Sequence, residues 1–327
     1  MVYENIWPIP IGDVSVSGDV PRTKRFISGL WSLDQSLSDQ SGSVGIPLRG
    51  SVEIYGRWET GKSTLGYYLA GRVLGAGRIV LIDLEGGARE DYLKAAVAQA
   101  GFVGEIHRVE FESKGSPRNH EEMLKEGADE LLSDDVRCVI LDSAAMTQPL
   151  PERAGDIEEA FMGRRAQVLA KFARRCLSWI NSSKDDKLLI IINHMLQDIG
   201  GFGKISPGGD TLKYGINARL WIHREHNLPY GAFVSEIEVE KLRFGGKNKD
   251  RKGLVAIIPG LGVSPELTAA FDCFALKKGR RQAGTGMIQY EKDGQWVDIA
   301  TMETVVKELL DGKRDQLTPF FEILESQ

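Results

Sequence analysis

Residues 56–64 constrain this chain more than any other stretch: they read G-R-W-E-T-G-K-S-T, between the apolar run SVEIY and a segment of helical period. GxxxxGK[ST] placed between a strand and a helix is a phosphate-cradling loop. Its glycines let backbone N–H groups turn inward around phosphate oxygens, and the helix start adds partial positive charge. Lys62 is set to reach the β and γ phosphates and Ser63 to ligate Mg²⁺, with Thr64 extending the polar lining. Gly56, Arg57, Trp58, Glu59, Thr60, Gly61, Lys62, Ser63 and Thr64 are therefore expected to form a nucleotide site. A chance GKS in a strand-to-helix turn would not bring both flanks with it.

The rest of the pattern suits such a loop. From Val52 onward, strand-length apolar runs (SVEIYG, RIVLID, RCVILD, LLIIIN) alternate with helix-period segments. Continuous rather than alternating apolar strands, separated by helices, predict a parallel sheet buried on both faces. RLWIHRE, the alternating SEIEVEKLRF and LVAIIPG read as further strands. The helix predicted over about residues 161–180 carries Phe161, Arg165, Val168, Leu169, Phe172, Cys176 and Ile180 near one stripe, with Arg164, Lys171, Arg174 and Arg175 largely off it. The fold class expected is α/β with a mostly parallel central sheet. Residues 1–25 read as an extended N-terminal arm, 26–261 as the core, and 262–327 as a small α/β domain with a hairpin turning at Asp293-Gly294.

In an open parallel sheet the strand ends converge on the ligand. Asp142, ending RCVILD, is placed to hold Mg²⁺ through a water opposite Ser63, although an aspartate there also caps the next element. Glu85, just past RIVLID, is a candidate for activating water, with Asp83 as its rival. Asn193-His194 closes LLIIIN beside QDIGGFGKISPGG, too glycine-rich for regular structure and too long for a simple connector. That pair could supply a polar sensor, but on residues alone His194 reads rather as an ordinary structural histidine.

Composition sets outer limits. The net charge of −5 excludes coating of nucleic acid by bulk positive charge, so any such site is local. Candidates are the 164–175 cluster and the segment 241–252, with six basic residues against one acidic, which also fits a solvated face. Cys138, Cys176 and Cys273 lie far apart with no CxxC pair, giving neither a disulfide framework nor a zinc cluster. No apolar run approaches the roughly 18–20 residues of a membrane span, and the first residues lack a secretory pattern. No membrane partner and a cytoplasmic location are expected.

The strings ISGLWSLDQSL, GSVEIYGRWETGKSTL, LIDLEGG, VILDSAA, MGRRAQVLAKFARR, LLIIINHML, GGDTLKYGINARLWIHRE and VEKLR, in unbroken order from about residue 27 to 243, resemble the bacterial RecA recombinases. Asn193-His194 and VEKLR are closer to the phage UvsX type. The resemblance implies a RecA-type ATPase core using ATP and Mg²⁺, with Glu85 as the catalytic carboxylate and His194 as the γ-phosphate sensor. It also implies that Tyr92 stacks on adenine and that Lys241 and Arg243 reach the γ-phosphate of a neighbouring subunit. Two DNA loops would fall at 151–165 and 195–209, with Met162, Arg164, Arg165, Phe202, Lys204, Gly208 and Gly209 as contacts. The partners implied are single-stranded DNA, homologous duplex DNA and further copies of the chain in a helical filament. A ring-forming helicase and a non-catalytic nucleotide-binding mediator are the competing functions. The arm departs from the family, because Pro8 and Pro10 disfavour a docking helix.

Overall fold

A computed structural model describes residues 25–327 apart from 39–42, 73–75, 114–115, 150–161, 198–203, 206 and 244–250. The arm therefore lies outside the described residues, apart from Arg25. Among the described residues nine strands form the central sheet: β1 (Gly50–Gly56), β2 (Ala76–Asp83), β3 (Val103–Arg108), β4 (Val136–Asp142), β5 (Leu188–His194), β6 (Ala218–Asn227), β7 (Phe233–Leu242), β8 (Lys252–Ile258) and β9 (Gly262–Val263). Their order is β9-β8-β7-β6-β1-β5-β4-β2-β3. The six strands from β6 to β3 are parallel, and β7, β8 and β9 extend the sheet antiparallel.

Each apolar run became a strand because both of its faces find cover. Ile79 and Leu81 of β2 join one core with α2 (Lys62–Arg72) and α3 (Glu90–Ala98), while Val80 and Ile82 join another with α4 (His120–Asp129) and α5 (Met162–Ser182). Each fully buried aliphatic side chain of this kind contributes about 1.5–3 kcal/mol. Leu169, Phe172, Cys176 and Ile180 form the buried stripe of α5, as the periodicity predicts. Arg175, off that stripe, pairs with Asp129 through its Nε at 2.5 Å and lies over Trp179.

A third core joins Val234, Ala256 and Ile258 of β7 and β8 to α7 (Pro265–Ala275), α8 (Met302–Leu310) and α9 (Thr318–Glu325). Between α7 and α8 lies a three-stranded sheet, β10 (Gly279–Arg281), β11 (Met287–Lys292) and β12 (Gln295–Thr301). The β11–β12 turn places Asp293 at φ 51° and Gly294 at φ 77°, the left-handed pair that a tight hairpin needs. Edge strand β3 and helix α4 do not stand out among the apolar runs: VGEIHR is polar at half its positions, and α4 is announced only by its Asn119/Glu122 capping box. No helix of the described residues is long and apolar enough to cross a membrane.

Candidate functional site

Register brings the sequence candidates to one edge. Gly56 at the end of β1 pairs with His194 at the end of β5, and Asp83 at the end of β2 pairs with Asp142 at the end of β4. The loop leaving β1 wraps the start of α2. Gly61 sits at φ 86°, a left-handed backbone that favours glycine, and a Cβ there would stand 2.0 Å from Ile257 Cδ1 and push that side chain aside. Thr60 Oγ1 donates to the Arg57 carbonyl at 2.9 Å, and Ser235 Oγ ties the Thr60 carbonyl down at 3.0 Å. Lys62 Nζ folds back to the Arg57 carbonyl at 2.5 Å. Burial pulls its ammonium below the ordinary lysine value, against the opposing pull of Glu85 and Asp142.

An open cavity of about 470 Å³ adjoins this loop, with Lys62, Ser63, Thr64, Glu85, Tyr92, Asp142 and His194 among its walls. Burial pushes the Asp142 carboxyl up to about 6, although it accepts hydrogen bonds from Tyr67, at 2.6 Å, and from Ser63. The Ser63 hydroxyl and the Asp142 carboxylate form an all-oxygen donor pair, the chemistry a hard cation such as Mg²⁺ takes. Tyr92 shares a hydroxyl hydrogen bond with Thr64 and packs edge-on against Tyr67.

Glu85 Oε1 accepts from Ser143 Oγ at 2.5 Å and meets His194 Nε2 at 2.7 Å. The His194 bond, helped by Ser143, holds the carboxyl below its ordinary value, so it is a carboxylate at neutral pH. Asp83 is spent otherwise. Its oxygens accept the backbone N–H groups of Glu85, Gly86 and Ala88 at 3.2, 2.8 and 3.0 Å and pair with Arg108. It shapes the turn that presents Glu85.

Lys241 and Arg243 do not reach this cavity. Lys241 pairs in register with Arg219, and Arg219 with Glu53, three residues before Gly56 on β1, which puts both cations toward the opposite edge of the sheet. Of the residues expected to touch DNA, Arg164 is exposed and Arg165 half-buried, whereas Phe202 and the side chains of Met162 and Lys204 lie outside the described residues. Gly208 and Gly209 are left-handed at φ 113° and 65°, and a Cβ on Gly208 would meet Leu212 at 2.4 Å. Glycine is thus required there by the chain path itself. Sequence reading missed Ser143 and Tyr67 as partners of the site, along with Arg224, Phe233 and Pro259 on the cavity wall. The one available signal was a pair of tyrosines in the otherwise apolar stretch LGYYLAG of α2.

A phosphate loop and strand-end carboxylates at the carboxyl edge of a parallel sheet, extended by antiparallel strands, define a phosphate-loop α/β protein. Within that class the chain belongs to the RecA family, for the RecA N-terminal domain matches residues 17–243. It is similar to Protein RecA of Mycoplasma pneumoniae, 27% identical over 227 residues that cover 67% of this chain and 63% of the relative. The RecA of a Nocardioides species is 30% identical over 227 residues, 67% of this chain and 60% of the relative. That of Oceanobacillus iheyensis is 26% identical over 254 residues, 76% and 69%. The chain thus spans less than two thirds of the length of the Mycoplasma and Nocardioides relatives.

Proposed function

We propose that this chain is an ATP-dependent DNA recombinase of the phage UvsX type, which polymerises on single-stranded DNA and pairs it with homologous duplex. The observation that carries this reading is the ionised Glu85, held between Ser143 and His194 on the same sheet edge as Lys62 and Asp142. Residues 56–64 would hold the triphosphate, with Lys62 on its β and γ phosphates and Tyr92 beside the base. Ser63 and Asp142 would hold Mg²⁺, which when bound supplies positive charge to the phosphates. Glu85 orients and deprotonates the attacking water, and His194, bonded to Glu85 and joined by the chain to segment 195–209, reports the γ-phosphate to that loop.

Lys241 and Arg243, far from their own phosphate loop, serve the nucleotide of the next protomer, where positive charge stabilises the transition state across an interface. Hydrolysis then belongs to the assembled filament. DNA is gripped by Met162, Arg164 and Arg165 in the first turn of α5, where the loop expected at 151–165 runs into helix, and by Phe202, Lys204, Gly208 and Gly209 on the second segment, through phosphate contacts and stacking. The N-terminal arm and residues 262–327 flank this core, and the protein works in the cytoplasm.

The test is the steady-state ATP hydrolysis rate with and without single-stranded DNA, alongside electron microscopy with a slowly hydrolysed ATP analogue. Stimulation by DNA that weakens steeply with salt, together with open helical filaments, is expected. Hydrolysis indifferent to DNA refutes the reading, and closed hexamers favour a ring helicase.

A further inference from the structure

The face of β1 that carries Ser51, Glu53 and Tyr55 bears a charged pair with no part in the chemistry above. Glu53 is fully buried in mid-sheet, where a lone carboxylate would be strongly disfavoured. Its Oε1 accepts from Asn193 Nδ2 on β5 at 2.9 Å, and its Oε2 from Arg219 Nε on β6 at 2.6 Å. The same Asn193 Nδ2 donates to the Pro207 carbonyl at 2.8 Å, while Asn193 Oδ1 accepts the backbone N–H of His194 at 3.0 Å. Arg219 lies over the Tyr55 ring and reaches Glu240 at 3.5 Å. Opposite it in register stands Lys241, whose ammonium donates to the carbonyls of Lys213 and Tyr214 at 2.6 and 2.9 Å.

These bonds converge on one short helix, α6 (Gly209–Gly215), which directly follows the segment 195–208. Asn193 grips the chain at Pro207, just ahead of α6, and Lys241 grips its last turn. The Glu53–Arg219 pair lies between the two grips, bonded to Asn193 through Glu53 and opposite Lys241 in strand register through Arg219. We infer that Glu53 and Arg219 are positioning residues that couple the Glu85–His194 pair to Pro207 and α6, and so set the position of α6 according to the nucleotide state.

The physical route is short. Asn193 is bonded covalently to His194, so a shift of His194 when the γ-phosphate leaves turns the Asn193 side chain against Pro207. Glu53, fixed by the Arg219 guanidinium, gives Asn193 a rigid second acceptor, and a buried network of this kind has discrete arrangements rather than a soft continuum. An apolar pair of the same volume would fill the sheet as well, but it would leave Asn193 without that acceptor.

This inference rests on the function proposed above, and its tests separate the two. Glu53→Gln keeps the shape and an acceptor for Asn193 but removes the charge that fixes Arg219. Its affinity for an ATP analogue and its DNA-free hydrolysis should stay within about twofold of wild type, while stimulation by single-stranded DNA falls about tenfold, the scale of one coupling free energy. A folded Glu53→Gln protein with full stimulation overturns the inference. A wild type without any stimulation overturns the proposed function instead. Hydrogen exchange on the unmodified protein decides the matter if the variant does not fold. Amides of residues 209–215 should exchange more slowly when the slowly hydrolysed ATP analogue binds without DNA, and unchanged exchange there overturns the coupling.

Discussion

Asp272 gives the most quantitative prediction about how this chain is held together. It lies on α7, 1% exposed, facing α1 (Trp31–Ser36). Its Oδ2 accepts the backbone N–H of Ser32 at 3.2 Å, while Oδ1 is buried without a hydrogen-bond partner. Burial pushes its carboxyl from 3.8 up to about 7, with the nearby Asp34 adding to the rise, and Cys273 beside it is buried and uncharged. The unfolded chain therefore sheds this proton near pH 3.8 and the folded chain near pH 7. Between those values the folded state binds one proton more, so stability falls as pH rises. The slope is about 1.4 kcal/mol per pH unit, which accumulates to about 4 kcal/mol across the window.

Asp272→Asn removes the titration but leaves a buried amide N–H₂ without an acceptor, a cost of about 1–3 kcal/mol. The variant should be slightly less stable than wild type at pH 5 and more stable, by about 1–3 kcal/mol, at pH 8. Urea unfolding without nucleotide, followed by tryptophan fluorescence between pH 4.5 and 8, measures the difference. Curves that run parallel across this range would show that Asp272 is not the titrating group.

Asp83→Ala frees three backbone N–H groups in the turn that presents Glu85 and should cost about 2–4 kcal/mol in thermal or urea unfolding. Its hydrolysis rate should drop by about a hundredfold while nucleotide affinity holds, as expected when a reacting group is misplaced by about an ångström. Gly61→Ala forces a left-handed alanine against Ile257. It should lose about 1–3 kcal/mol of stability in the same assay, together with binding of a fluorescent ATP analogue.

The phosphate loop, the parallel strands and the strand-end carboxylates were legible because each is a local pattern: a spacing, an apolar run, a charge at its end. The choice between Asp83 and Glu85 was not. Both follow the same strand two residues apart, and only the three N–H groups converging on Asp83 separate a turn-shaping carboxylate from one that faces the cavity. Glu53 was hidden differently. It sits inside an apolar run that predicts a buried strand, where nothing local says what would neutralise an acid, and its partner Arg219 lies 166 residues away. Lys241 and Arg243 were legible as part of the basic segment 241–252, but only the family resemblance singled them out, since both lie toward the far edge of the sheet from their own phosphate loop.

Whether Glu85 activates water at a site driven by DNA is decided by single-turnover hydrolysis of ATP by Glu85→Gln on single-stranded DNA. A fall of about 10²–10⁴-fold against wild type, the usual contribution of a positioned base, with nucleotide binding retained, is the predicted result. A rate equal to wild type would show that Glu85 is not the activating base.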